Sequence, residues 1–187
     1  MIRRVLLCLL LCWPWPALAA DGLWRTLQEP GAIVLFRHAN APGTGDPPAF
    51  DLDNCATQRN LDGRGRAEAK AIGAAFRRHG IEAGMVLTSQ WCRTRDTAEL
   101  AFPGRVSEQP AFNSFFGNRA AEPAQTAAAR AILRRWQGPG VLVVVTHQVN
   151  IAALTGIAPR PGEGIILRSE NGALRVVGRL PPPELAP

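Results

Sequence analysis

The sequence predicts an α/β domain built on a mostly parallel sheet covered on both faces, and three observations predict it. Short β-branched runs alternate with segments of helical spacing, the pattern of strands joined by crossover helices. The runs at 32–36 and 141–145 are continuously apolar, as buried strands are. Each leads directly into a histidine, through Arg37-His38 and Thr146-His147, and in such sheets ligands bind outside the carboxyl ends of the strands.

The elements follow in order. Met1 to Arg4 carries two arginines, 5–15 is apolar, and Ala17-Leu18-Ala19 is a small-x-small pattern. That order of charged, apolar and small residues reads as a signal peptide over 1–20, cleaved after Ala19 or Ala20. The apolar core, broken by Pro14 and Pro16, is shorter than the roughly 20 residues a spanning helix needs. No membrane span is therefore expected in the mature form, and the protein is expected to be periplasmic or secreted.

The remainder reads as one domain over 21–180 and a disordered Pro-rich tail over 181–187. After the strand at 32–36 comes a Pro/Gly/Asp-rich loop to about Asp53. Residues 63–79 form a helix, with Ala67, Ala71, Ala74, Ala75 and Phe76 at helical spacing and Gly80 as its closing glycine. A strand at 85–87 and a helix at 93–101 follow. The aromatics of 107–119 show no periodicity, so that segment is expected to be loop. A helix over 123–136 stops at Gly138-Pro139-Gly140. After the strand at 141–145 a helix is expected near Gln148. Strands at 165–167 and 174–177, either side of Asn171-Gly172, read as a closing hairpin.

Composition narrows the partners. Of 187 residues with a formal charge of +6, loss of the leader with Arg3 and Arg4 leaves 167 residues at about +4. This suits an anionic substrate or an anionic envelope surface. The arginines are scattered rather than clustered, which argues against nucleic acid. Cys55 and Cys92 remain as a candidate disulfide, since an oxidising compartment favours pairing. The enclosed loop of 37 residues would contribute on the order of 3–4 kcal/mol. Two distant cysteines without a CxxC lack zinc-ligand spacing.

His79 sits in a helix's last turn, where a cation favours the dipole, and no function is assigned to it. His38 differs, because Arg37 precedes it and a polar glycine-containing loop follows. Imidazole nitrogen is a competent nucleophile toward phosphorus. Phosphoryl transfer asks the protein mainly for positioning and charge neutralisation, which the planar fork of arginine supplies well. His38, Arg37, Arg93 and His147 thus provide one nucleophile and three donors, with helix amides near Gln148 as a further source.

Four stretches carry a resemblance: Leu35-Phe36-Arg37-His38-Ala39, Asn60-Leu61-Asp62-Gly63-Arg64-Gly65-Arg66-Ala67-Glu68-Ala69, Ser89-Gln90-Trp91-Cys92-Arg93-Thr94-Arg95-Asp96-Thr97-Ala98 and Val145-Thr146-His147-Gln148. In this order the chain resembles the histidine phosphatase (phosphoglycerate mutase-like) superfamily over about 33–156. The resemblance implies a three-layer α/β/α sandwich and metal-independent, cofactor-free phosphoryl transfer through a phosphohistidine. It makes His38 the nucleophile, Arg37 and Arg93 the phosphate clamp, His147 the second pocket histidine and Asn40 a polar neighbour of the phosphate.

Two departures from the family pattern stand out. Ala39 replaces the glycine usual after Arg-His. No acid aligns with the glutamate that protonates the leaving oxygen in many compact members, which leaves Asp46, Glu108, Glu122 and Glu163 as substitutes. Trp91 and the aromatics of 112–116 are expected either in the core or along the pocket. The chain lacks the long cap insertion of the phytase branch. The expected function is a phosphomonoesterase acting on a periplasmic or envelope phosphorylated small molecule or sugar, lipopolysaccharide heptose phosphate among them. The alternative is a non-catalytic module that binds phospho-ligands with the same pocket.

Overall fold

The structure is a computed structural model that describes residues 15–185, with side chains from Gly22 onward. Helix α1 (Trp15–Gln28) and strand β1 (Ile33–Arg37) are followed by α2 (Gly63–Arg78), β2 (Ala83–Thr88), α3 (Cys92–Ala101) and β3 (Val106–Glu108). Then come α4 (Glu122–Arg134), β4 (Val141–Thr146), α5 (Gln148–Thr155), β5 (Gly164–Glu170) and β6 (Ala173–Leu180). The six strands lie in one sheet in the order β3-β2-β4-β1-β5-β6. The first four run parallel, and β5 and β6 close the edge antiparallel.

The period of two along the strands divides the core. Val34, Phe36, Val141, Val143 and Val145 point to one face, packing with Leu27 of α1, Ile72 and Phe76 of α2, and Ala98 and Ala101 of α3. Ile33, Leu35, Leu142 and Val144 point to the other, against Ala129 and Leu133 of α4 and Ile151 and Leu154 of α5. Both faces of the central strands are therefore buried, which is why they read as unbroken apolar runs. The result is an α/β/α sandwich.

Local chemistry fixes the helix ends. The Asp62 carboxylate accepts the Gly65 N–H at 2.7 Å and caps α2, satisfying one of the free amides of its first turn. Gly80 takes φ +63° just past its end, a left-handed conformation that glycine adopts without cost. Asn171 and Gly172, at φ +51° and +75°, make the tight turn of the β5–β6 hairpin.

Two elements differ from the sequence expectations. The segment 107–119 was expected to be loop, yet Val106–Glu108 pairs with β2 through Val86, Leu87 and Thr88. A three-residue edge strand is too short to display a period. The sequence also assigned no element to 21–31, where α1 seats Leu23 and Leu27 on the core and Trp24 edge-on to Phe76 at 5.8 Å. The leader reading falls on residues that are outside the described part of the chain up to position 14, and α1 begins at Trp15. Residues 181–185 carry no helix or strand. Among the described residues no helix is long and apolar enough to cross a membrane.

Candidate active site

β1 and β4 are neighbours in register, Arg37 opposite Thr146. The chain leaves β1 toward α2 on one face and leaves β4 into α5 on the other. This divergence opens a cleft above the carboxyl ends of the strands. The His38 N–H donates to the Thr146 carbonyl at 3.0 Å, so the two histidine-bearing strand ends are locked together. The ring centroids of His38 and His147 lie 5.6 Å apart.

His38 has a defined tautomer. Its Nδ1 lies 2.8 Å from the Ala39 carbonyl. A carbonyl only accepts, so Nδ1 carries the hydrogen and Nε2 keeps its lone pair. Burial, then the nearby Arg93 charge, hold the ring well below its ordinary pKa and favour the neutral imidazole. His147 is depressed by the same two causes in the same order, and its Nε2 lies 2.8 Å from Ser89 Oγ.

Arg37, at the end of β1, donates from one terminal nitrogen to the Pro159 carbonyl at 3.0 Å. Arg93, in the first turn of α3, makes a bidentate pair with Asp46 at 2.7 and 3.0 Å. Trp91 Nε1–H donates to the same carboxylate at 3.0 Å. Burial alone would push the Asp46 carboxyl up, but the Arg93 hydrogen bonds and charge outweigh it and hold the group below its ordinary value. The cleft, about 1180 Å³, is lined by Arg37, His38, Arg93 and His147 together with Asp46, Arg59 and Trp91.

The four principal site residues expected from the sequence thus converge on one cleft. Asn40 does not join them: its side-chain amide donates to Asp62 at 2.9 Å and its backbone N–H to Glu68 at 2.8 Å. Of the four substitute acids, Asp46 is in the cleft beside Arg93, while Glu122 stands at the rim with Arg119. Glu108 is exposed and paired with Arg95, and Glu163 is buried against Arg179. The aromatics divide: Phe112 belongs to the core, whereas Trp91, Phe115 and Phe116 line the cleft.

Sequence reasoning missed Arg59. Its guanidinium donates to the carbonyls of Gly45 and Ala41, and its backbone N–H to Asp46. Burial, then Arg93, lower its pKa to about 10. Its position next to the Asn60-Leu61-Asp62 motif was the one available signal.

Cys55 and Cys92 form a disulfide, with Cα atoms 5.7 Å apart. Beside it the Cys92 N–H donates to Gln58 Oε1 at 3.0 Å. The 41–62 loop, carrying Asp46 and Arg59, is thereby tied to the start of the helix that carries Arg93.

A buried imidazole faces a cleft lined by the guanidinium groups of Arg37, Arg59, Arg93 and Arg119 and by a second histidine, a set of donors able to hold a phosphoryl group. No family model and no curated protein sequence matches the chain. Solved structures do match its fold. The protein histidine phosphatase SixA, complexed with tungstate, superimposes with a TM-score of 0.59 at 18% identity, over 81% of this chain and 97% of that one. A phosphoserine phosphatase from Entamoeba histolytica, in complex with phosphoserine, gives 0.55 at 11% identity, over 79% and 95%. An alpha-ribazole phosphatase from Shigella flexneri gives 0.51 at 17%, over 78% and 94%. The chain has the phosphoglycerate mutase-like fold of the histidine phosphatases.

Proposed function

We propose that this protein is a phosphomonoesterase that passes the phosphoryl group through His38 without a metal ion. One observation carries the reading: His38 is buried and neutral, its Nδ1–H committed to Ala39, with Nε2 left as the nucleophile in a cleft it shares with Arg37, Arg93 and His147. The arginines offset charge on the equatorial oxygens as the group transfers, where preorganised donors act most strongly. His147 adds a donor, and the first residues of α5, Gln148 and Val149, also line the cleft.

The cleft is much larger than a phosphate, and Trp91, Phe115 and Phe116 share its walls with Asn113, Asn118 and Gln125. A lining that combines apolar faces with amide groups suits a phosphorylated small molecule or sugar. Export to the periplasm or medium is part of the proposal. It is supported by the charged-apolar-small order of the first twenty residues and by a disulfide, which persists in oxidising compartments.

The test is hydrolysis of p-nitrophenyl phosphate by the purified protein in EDTA, beside His38→Ala. Turnover that survives chelation and disappears with His38 is the expected result. Wild type and variant equally inert from acid to neutral pH, while both bind phosphate, would replace the enzyme with a phospho-ligand-binding module.

A further inference from the structure

The phosphate clamp is already holding a carboxylate. Asp46 takes both terminal nitrogens of Arg93, the fork geometry that arginine also offers to phosphate. Two more donors, Trp91 Nε1–H and the Arg59 N–H, converge on it at 3.0 and 3.1 Å. The pair is nearly sealed from water, with side-chain exposures of 3% for Arg93 and 9% for Asp46. A phosphomonoester reaching His38 requires Arg93, so the carboxylate has to release it. Asp46 lies on a loop in which Gly43 and Gly45 precede it in left-handed conformations. The other carboxylate lining the cleft, Glu122, is partly exposed at the rim.

We propose that Asp46 is the proton donor of this site, loaded when the substrate's phosphate displaces it from Arg93. The inference rests on the phosphatase reading above. Paired with Arg93, the carboxylate is ionised and accepts hydrogen bonds only. Once phosphate takes Arg93, that stabilisation is lost and a second anion arrives beside the carboxylate, and both effects favour the neutral acid.

The proton enters with the substrate. A phosphomonoester monoanion gives its proton to Asp46, leaving a dianion on Arg37 and Arg93 and a neutral carboxyl. His38 Nε2 then forms the N–P bond as the ester P–O bond breaks, and the leaving oxygen takes the Asp46 proton to depart as an alcohol. In the second step water attacks phosphorus and gives a proton to the Asp46 carboxylate. The N–P bond breaks and His38 returns to its neutral form. Departing phosphate carries the proton away as a monoanion, and Asp46 returns to Arg93.

The leaving group decides the test. Nitrophenolate departs without a proton and an alkoxide does not. The measurement is kcat/KM for p-nitrophenyl phosphate and glycerol phosphate, with wild type, Asp46→Asn and Glu122→Gln. Asp46→Asn is expected to lose about 10²–10⁴-fold on glycerol phosphate and roughly tenfold or less on the nitrophenyl ester. Orthovanadate, as a phosphate mimic, should inhibit Asp46→Asn at least as tightly as wild type, because no competing carboxylate is paired with Arg93, and this also reports an intact fold. Equal losses on both substrates, or the leaving-group-dependent loss appearing in Glu122→Gln instead, would overturn the assignment while leaving the phosphatase intact. A wild type that hydrolyses neither ester would overturn both.

Discussion

Gly65→Ala tests how the loop that follows His38 is held. Gly65 lies in the first turn of α2, pressed against the residues that follow His38. A Cβ built there falls 2.0 Å from the Asn40 carbonyl oxygen, 2.9 Å from its carbon and 3.1 Å from its nitrogen. Real Cβ contacts essentially never come below 3.0 Å, so helix and loop would have to separate by about 1 Å or more. The loop has little freedom to comply. The Asn40 N–H is bonded to Glu68 of α2 at 2.8 Å, and the Ala39 N–H to Thr97 of α3 at 3.1 Å. Overpacking of this kind costs about 1–3 kcal/mol, offset by the roughly 0.5–1 kcal/mol that alanine gains over glycine in a helix. A net loss of about 1–2 kcal/mol lowers the melting temperature by roughly 2–8 °C for a domain of this size. Displacing His38 by about 1 Å costs on the order of 10²-fold in turnover. The matched control is Gly63→Ala, two residues earlier with nothing within 4 Å of its Cβ position, expected to melt at or slightly above wild type. Thermal melts and p-nitrophenyl phosphate kinetics on the three proteins decide it. A Gly65→Ala protein indistinguishable from wild type in both would refute the claim that this contact positions His38.

Two further outcomes follow from the same geometry. Opening the Cys55–Cys92 bridge, by Cys→Ser at both positions or by reductant, should cost about 3–4 kcal/mol for its 37-residue span. It should also lower turnover, since it frees the loop bearing Asp46 and Arg59; urea midpoints unchanged by reductant would count against this. His38 and His147 have folded pKa values depressed by burial and by Arg93, so below about 6.5 the unfolded chain binds protons that the folded chain does not. Stability is then complete above that pH and lost as pH falls, at up to about 1.4 kcal/mol per pH unit for each histidine. Urea midpoints at descending pH check it, and a flat profile would mean that the two rings are not buried and neutral.

The sequence by itself determined whatever is written in local pattern. The runs at 32–36 and 141–145 are apolar because both faces of those strands are covered. Helix α2 was legible because its alanines and Phe76 repeat at the helical period between Asp62 and Gly80. His38, Arg37, Arg93 and His147 were legible because each sits at a strand end or helix start within a recognisable motif.

Only the tertiary structure decided what depends on residues distant in the chain. β3 exists because β2 lends it partners, and no three-residue period announces that. Arg59 and Asp46 sit in a loop whose composition says only that it turns. Both are held in the cleft by hydrogen bonds from Arg93, 34 and 47 positions further on. Asn40, placed near the phosphate by motif position, is drawn away by Asp62 and Glu68. Periodicity encodes which face a residue presents, but a hydrogen bond between remote side chains is settled only when packing brings the loops together.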